Sequence, residues 1–238
     1  MEPLTMKREL FLILEDCGAA RCGVADLSGV PETALPPAKG PAMRIGVAFC
    51  MNLPPATVKE LIEAPNMEYV RVYREYNDRL VEAAHAGAAY LKSLGFEAVA
   101  QDFDYAKPDE NNTTLLPHKT VAAKAGLGWI GRNCLLVTPE FGGAVRLGSI
   151  VTNAPLPADQ PVAQSRCGGC HLCVDKCPAH AIQGNLWEPG LERDRLVDHR
   201  RCEAAMYDIM EKNTGERLDF CGKCFAVCPY TRKYLSRA

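Results

Sequence analysis

The chain has 238 residues, 47% of them hydrophobic, and a formal net charge of −2 from 27 Lys and Arg against 29 Asp and Glu. That length suits one large domain or two ordinary ones, each with a packed core, and the charge balance carries no basic footprint of the kind that gathers nucleic acid. The apolar run at 10–14 is too short, and too acidic at Glu9 and Glu15, for a signal peptide, and no stretch approaches a membrane span, so a cytoplasmic protein is expected.

In chain order, the pattern predicts a helix over 3–16 ending near Gly18, then a short extended piece over 21–25 and a proline-rich loop over 31–41. Residues 43–53 read as a buried strand stopped by Pro54 and Pro55. Over 68–94, Val70, Tyr73, Leu80, Ala84, Leu91 and Leu94 recur at helical spacing and Gly95 stops the helix; His85, beside this stripe, reads as a satisfied structural histidine. Strand resumes over 96–103, and a helix is predicted over 117–125.

That helix runs into Gly126-Leu-Gly128-Trp-Ile-Gly131, a literal G-x-G-x-x-G. A dinucleotide-binding glycine loop follows a strand and opens a helix. Here the helix comes first, Gly126 is its natural left-handed cap, and the strand (133–138) comes after, so a nicotinamide cofactor is not expected. Three glycines around Trp129 still demand either close backbone approach to a flat or bulky group or a cramped turn. On the first of these, Gly128→Val is expected to block a ligand while leaving the rest of the protein assembled. Past residue 152, the stretch 153–161 carries three prolines and reads as a linker, dividing the chain into 1–155 and 156–238.

Eight of the 12 cysteines lie beyond it. Cys167, Cys170, Cys173 and Cys177-Pro178 form a C-x2-C-x2-C-x3-C-P run; Cys221, Cys224 and Cys228-Pro229 form a second, with Cys202 upstream. Three thiolates at this spacing hold one corner of a cubane while the Cys-Pro cysteine reaches across to the other cluster. That exchange assigns Cys167, Cys170, Cys173 and Cys228 to one [4Fe–4S] cluster, and Cys177, Cys202, Cys221 and Cys224 to the second. Zinc sites space their pairs by a dozen or more residues, and disulfides suit small secreted domains, so neither fits as well. Cys17, Cys22, Cys50 and Cys134 read as buried small hydrophobes.

Residues 125–133 (Ala-Gly-Leu-Gly-Trp-Ile-Gly-Arg-Asn), then 147–152 (Leu-Gly-Ser-Ile-Val-Thr), then the two cysteine runs strongly resemble the epoxyqueuosine reductase family, whose core is related to the reductive dehalogenases. The resemblance is continuous over about 43–230. It implies an α+β chain: a mixed α/β cobalamin-binding domain followed by a bacterial two-cluster ferredoxin-like domain. It also implies base-off cobalamin lined by Gly126, Leu127, Gly128, Trp129, Ile130, Gly131, Arg132 and Asn133. By the same analogy, electrons from a ferredoxin- or flavodoxin-type donor pass through two [4Fe–4S] clusters to Co(I) cobalamin, which reduces an electrophilic substrate.

Two departures from the family shape the expectation. Its tRNA-acting members carry a proton-donating aspartate one helix before the glycine segment; here that slot is 111–114, Asn-Asn-Thr-Thr, and Asn cannot deliver a proton as a carboxylic acid can. His118 and Asp104 are the candidate substitutes, with Asp109 and Glu110 also near in sequence. Those members also continue into a helical-repeat domain, and a short form without it is expected here. Basic residues at 193, 195, 200 and 201 are interleaved with Glu192, Asp194 and Asp198 and read as a solvated face. The expectation is therefore a small-molecule substrate, with tRNA disfavoured. The alternatives are a ferredoxin-like electron carrier or corrinoid-reducing partner, and a true epoxyqueuosine reductase with a relocated acid.

Overall fold

The structure, a computed structural model, describes residues 1–102, 105, 107–110 and 112–237. The elements run α1 (Pro3–Asp16), β1 (Arg21–Asp26), β2 (Ile45–Asn52), α2 (Pro55–Glu60), α3 (Met67–Ser93), β3 (Ala98–Ala100), α4 (His118–Lys124), β4 (Trp129–Ile130), β5 (Leu136–Val137), β6 (Val145–Thr152), α5 (Leu172–Asp175), α6 (His199–Thr214), α7 (Lys223–Ala226) and α8 (Pro229–Leu235). They form two compact units that alternate along the chain. The first comprises Met1–Met51, Tyr76–Leu127 and Arg146–Val162; the second comprises Asn52–Glu75, Gly128–Val145 and Ala163–Ala238.

The first unit is built on a four-stranded sheet in the order β1-β2-β6-β3, with β1 antiparallel to β2 and β3 antiparallel to β6. Side chains alternate across a strand, and the register sorts this sheet by size. Val24 faces Val47 and, with Phe49 and Ile150, packs against Met6, Leu10 and Leu14 of α1 and Leu80, Ala84 and Leu91 of α3. The alternate positions are small, with Gly23 opposite Ala48 and Ala25 opposite Gly46. That is what admits α4: a Cβ on Gly23 would lie 2.3 Å from the Ala125 carbonyl, and one on Gly46 would lie 2.6 Å from Val121. The helix α3 ends as its sequence indicates. Gly95 is left-handed (φ +87°), its amide donates to Lys92 O (3.0 Å), and the Phe96 amide donates to Leu91 O (3.2 Å), the paired bonds of a Schellman cap.

Several expectations change. Of the strand read over 96–103, Ala98–Ala100 is strand among the described residues, and position 103 lies outside them. His85 is satisfied as expected, pairing with Asp102 (Nε2···Oδ2 2.9 Å), on an exposed face of the helix. The proline-rich stretch is not a free linker, since Ala154 and Leu156 are buried. Asp159 exchanges hydrogen bonds with Val24 through its amide and its carboxylate (both 2.8 Å), Lys7 pairs with Asp159 (2.6 Å), and the Val162 amide donates to Ala123 O (2.9 Å). The prolines remove donors, but the two amides and the carboxylate that remain suffice to lay the segment along β1, where it covers an edge of the sheet.

The second unit carries the β4–β5 hairpin, α2, and the helices from α5 to α8. Thr231 on α8 accepts from the Gly143 amide (3.0 Å), and Tyr234 donates to Leu53 O (2.9 Å) while stacking edge-on against Phe141 (5.4 Å between ring centroids). Asp198 is the N-cap of α6, accepting from the Arg201 amide (3.0 Å), and Gly215 (φ +80°) ends that helix. Arg193 meets the His199 ring (2.8 Å) and Asp194 (3.2 Å). The charges around 192–201 are thus tied locally into caps and pairs. Among the described residues no helix is long and apolar enough to cross a membrane.

Candidate iron–sulfur centre

All 12 cysteines are free thiols, and the eight beyond residue 166 all lie in the second unit. Each cysteine run folds as a tight turn followed by one turn of helix. Gly168 (φ +52°) and the Cys170 amide donating to Cys167 O (3.0 Å) shape the first turn ahead of α5, and Gly222 (φ +81°) shapes the second ahead of α7.

The thiols of the two runs neighbour one another. Burial first, and then the neighbouring sulfurs of Cys167, Cys228 and Cys170, push the Cys173 thiol up to about 11. Burial, with Cys177 and Cys221 as sulfur neighbours, pushes Cys202 up to about 11 as well, and the Cys224 thiol is raised by burial and then by Cys221, Cys202, Cys173 and Cys177. Cys202, on the first turn of α6 and distant in sequence, thus has Cys177 and Cys221 as sulfur neighbours, and Cys228 has Cys167 and Cys170. Among the described residues no three such side chains close on a single metal ion. Eight neighbouring sulfurs are a donor set suited to two iron–sulfur cubanes.

Backbone amides face the sulfurs: Ala181 N donates to Cys177 Sγ (3.4 Å), the Lys223 amide to Cys221, and the Tyr230 and Thr231 amides to Cys228. Such donors favour the thiolate, whereas burial favours the thiol, so iron binding must displace protons here. Edge-on aromatics pack around the second turn, with Phe220 4.9 Å from Tyr73 and 5.8 Å from Tyr69, and Phe225 tilted against Tyr69 at 6.2 Å.

The glycine segment resolves into a cap and a hairpin. Gly126 (φ +75°) closes α4 with its amide on Ala123 O (3.2 Å) and the Leu127 amide on Ala122 O (3.0 Å). Beyond it, the expected turn and the strand over 133–138 become the two-residue strands β4 and β5, with Trp129 opposite Val137 and Ile130 opposite Leu136. Protein fills the space at every glycine. A Cβ would meet Gln160 O at 2.6 Å from Gly126, Val137 O at 2.2 Å from Gly128, and Asn133 Oδ1 at 2.8 Å from Gly131, where Cys167 Sγ follows at 3.6 Å. The glycines thus serve a cramped chain crossing, and Leu127, Trp129, Ile130, Arg132 and Asn133 are all buried. One group of the segment is left open: the Trp129 indole N–H is buried without a hydrogen-bond partner among the described residues, although its ring packs edge-on against Tyr230 (4.8 Å) with the Arg166 guanidinium 5.8 Å from its centre. A buried orphan donor is the feature a bound acceptor, such as a corrin side-chain amide, would satisfy.

Of the two proton-donor candidates, Asp104 lies outside the described residues, as does Asn111. His118 opens α4 in the first unit, half-buried, with Nδ1 2.7 Å from Ser149 Oγ. Gln101 directs its amide nitrogen to Leu116 O (3.2 Å) and its oxygen to the Ser149 hydroxyl (2.5 Å). The hydroxyl therefore donates to Gln101 and accepts from His118, which places the ring proton on Nδ1 and leaves a lone pair on Nε2. Burial, aided by the Arg146 charge, depresses His118 to about 4; at pH 7 about one ring in a thousand is protonated. A neutral ring of this tautomer accepts protons better than it supplies them. Because the unfolded ring titrates near 6.5, the native state is favoured above that pH and loses stability as pH falls from about 6.5 toward 4. The loss is at most about 3 kcal/mol. Denaturant titrations should show it in the wild type, with His118→Gln showing a flatter pH dependence across that window. Asn112, at the slot of the family's acid, is exposed and left-handed (φ 52°), its amide on Asp109 O (3.0 Å).

Sequence reasoning missed the Gln101–Ser149–His118 chain and the partners of Arg132. Neither has a local signature, since their partners lie 31–52 residues away.

Known proteins resemble this arrangement. A family model described as a 4Fe-4S double cluster binding domain matches residues 166–231. The epoxyqueuosine reductase of Shewanella oneidensis is 34% identical over 188 residues, covering 72% of this chain and 43% of that protein; across the first curated relatives, the matched stretch covers 30–50% of their length. A crystal structure of epoxyqueuosine reductase with an epoxyqueuosine-modified tRNA-Tyr stem loop matches with a TM-score of 0.63 at 21% identity, over 97% of this chain and 66% of that one. A reductive dehalogenase whose structure suggested a mechanism for B12-dependent dehalogenation matches with a TM-score of 0.69 at 18% identity, over 94% and 31%. In sequence the chain is similar to epoxyqueuosine reductases over part of their length, in fold it is similar to them and to reductive dehalogenases, and its residues 166–231 match a 4Fe-4S double cluster binding domain.

Proposed function

We propose that the protein is a cobalamin-dependent iron–sulfur reductase acting on an electrophilic carbon of the epoxyqueuosine type. The observation that carries this is the placement of eight free thiols in one unit, in a chain whose curated relatives are epoxyqueuosine reductases. In this reading Cys167, Cys170, Cys173 and Cys228 hold one cluster, and Cys177, Cys202, Cys221 and Cys224 the other. Residues 156–238 are read as the electron-transfer part and residues 1–155 as the cobalamin- and substrate-binding part, although 52–75 and 128–145 pack in the unit that holds the eight cysteines. When bound, the clusters supply one-electron transfer and the cobalamin a cobalt-centred nucleophile. The Gly126–Asn133 segment serves cobalamin through Trp129, whose indole N–H is free to donate, and a low-potential ferredoxin or flavodoxin is the electron source. His118, held neutral with Nε2 open, accepts a hydrogen bond from the substrate.

Epoxyqueuosine within a tRNA stem loop is the substrate supported by the relatives' names and by the solved complex. A second reading, a small electrophilic molecule, is favoured by Asn112 and Thr113 where the family keeps its carboxylic acid. Anaerobic protein, checked by iron count, is to be mixed with cobalamin and then given a low-potential reductant and an epoxyqueuosine-modified stem loop. A corrinoid spectral change followed by queuosine formation is expected, and Asn112→Asp should speed that step by about 100-fold or more. Corrinoid binding without stem-loop turnover in either protein selects the small-molecule reading. No corrinoid spectral change rejects the cobalamin enzyme in favour of an electron carrier.

A further inference from the structure

We propose that Arg132 is the positioning residue of the first thiol quartet: it shapes the Cys167–Cys173 turn and raises the reduction potential of the cluster held there. The inference rests on the double-cluster reading alone and is independent of cobalamin and substrate.

Arg132 is only 6% exposed. Its guanidinium forks across three backbone carbonyls, with Nε donating to Cys170 O (3.0 Å), Nη2 to Gly168 O (2.5 Å) and Nη1 to Gly184 O. Two of these carbonyls belong to the ligand-bearing turn itself, and the third lies past Cys177. The planar, rigid set of donors on arginine suits a three-point tie of this kind, which a lysine point charge cannot reproduce. In a trans peptide the N–H points opposite to the C=O, so turning these carbonyls toward Arg132 turns the Gly169 and His171 amides away from it. Amide direction around the sulfurs is one of the determinants of cluster potential.

The second argument is charge. A buried cation is costly unless something anionic answers it, yet among the described residues all of Arg132's partners are neutral carbonyls and no carboxylate pairs with it. Its bonds to Gly168 O and Cys170 O set the guanidinium against the turn that carries Cys167, Cys170 and Cys173, whose thiolates are the answering charge. A cluster with four thiolate ligands is anionic and becomes more so on reduction. A fixed cation beside it stabilises the reduced state, and withdrawing that cation drives the potential down.

The test uses the full-length holoprotein prepared anaerobically, as wild type, Arg132→Lys and Arg132→Met. Each is analysed for iron and acid-labile sulfide and titrated by spectroscopically monitored potentiometry. The Cys177/Cys202/Cys221/Cys224 cluster serves as the internal reference. Arg132→Met should shift the midpoint of the Cys167/Cys170/Cys173/Cys228 cluster to more negative potential while the reference stays put. Arg132→Lys, which keeps the charge and loses the fork, should fall between. If Arg132→Met sheds the first cluster, losing about half the iron, that loss supports the shaping role and the Lys variant decides the potential. Two midpoints unchanged in an iron-replete Lys or Met variant, or both clusters shifting together, overturn the inference. A wild type without two [4Fe–4S] clusters would instead sink the reading beneath it.

Discussion

Cys228→Ala is expected to cut the iron content from about eight to about four atoms per chain and to leave the cluster of Cys177, Cys202, Cys221 and Cys224 spectroscopically intact. The reason is that Cys228, although last in the second run, has Cys167 and Cys170 as its sulfur neighbours and in turn raises Cys173. Combined variants make the assignment decisive. Cys167→Ala added to Cys228→Ala should remove no further iron, because both act on one cluster, whereas Cys221→Ala added to Cys228→Ala should remove nearly all of it. Effects on shared partners are non-additive in just this manner. The opposite pattern would show that each run keeps its own cluster and that the crossover is wrong.

Gly128→Val is expected to be strongly destabilising. The new Cβ would stand 2.2 Å from Val137 O, 2.9 Å from Val137 C and 3.1 Å from Thr138 Cα. All are backbone atoms of the paired strand, so no side-chain rotation relieves the clash. Separating β4 from β5 should cost about 3 kcal/mol or more, and because the hairpin belongs to the second unit, the cysteine turns should lose iron as well. This reverses the expectation that the substitution would block a ligand and spare the rest. Gly131→Ala is the milder comparison, since its nearest neighbour at 2.8 Å is the Asn133 side-chain amide, which can rotate. Thermal unfolding and iron analysis of both variants check the ranking; equal, small effects would mean that the hairpin is not the reason for Gly128.

What was legible in the sequence was what a few neighbouring residues decide among themselves. Pro3, the spacing of Met6, Leu10 and Leu14, and Gly18 mark α1. Gly95 and Gly126 each end a helix in the left-handed conformation that glycine tolerates best. The order of helix, glycine and strand read from the sequence is the order found, α4, Gly126 and then β4. Cysteine spacing carried the cluster pattern because a thiolate turn is a short-range object.

Tertiary structure decided the rest, wherever the partner lies far along the chain. β4 and β5 are two residues each, too short to alternate visibly, and exist because Trp129 meets Val137 and Ile130 meets Leu136. The stretch 153–161 has the composition of a linker and becomes structure through Asp159 and Val24, 135 residues apart. Arg132, read by resemblance as a cofactor contact, directs its donors to carbonyls 36–52 residues away. His118 resembles an acid in sequence but is held as a neutral ring by Ser149, Gln101 and burial. Local conformational preference is written into neighbouring side chains. Protonation state, the partner of a buried charge and the use of a glycine's empty side depend on what the fold packs against them.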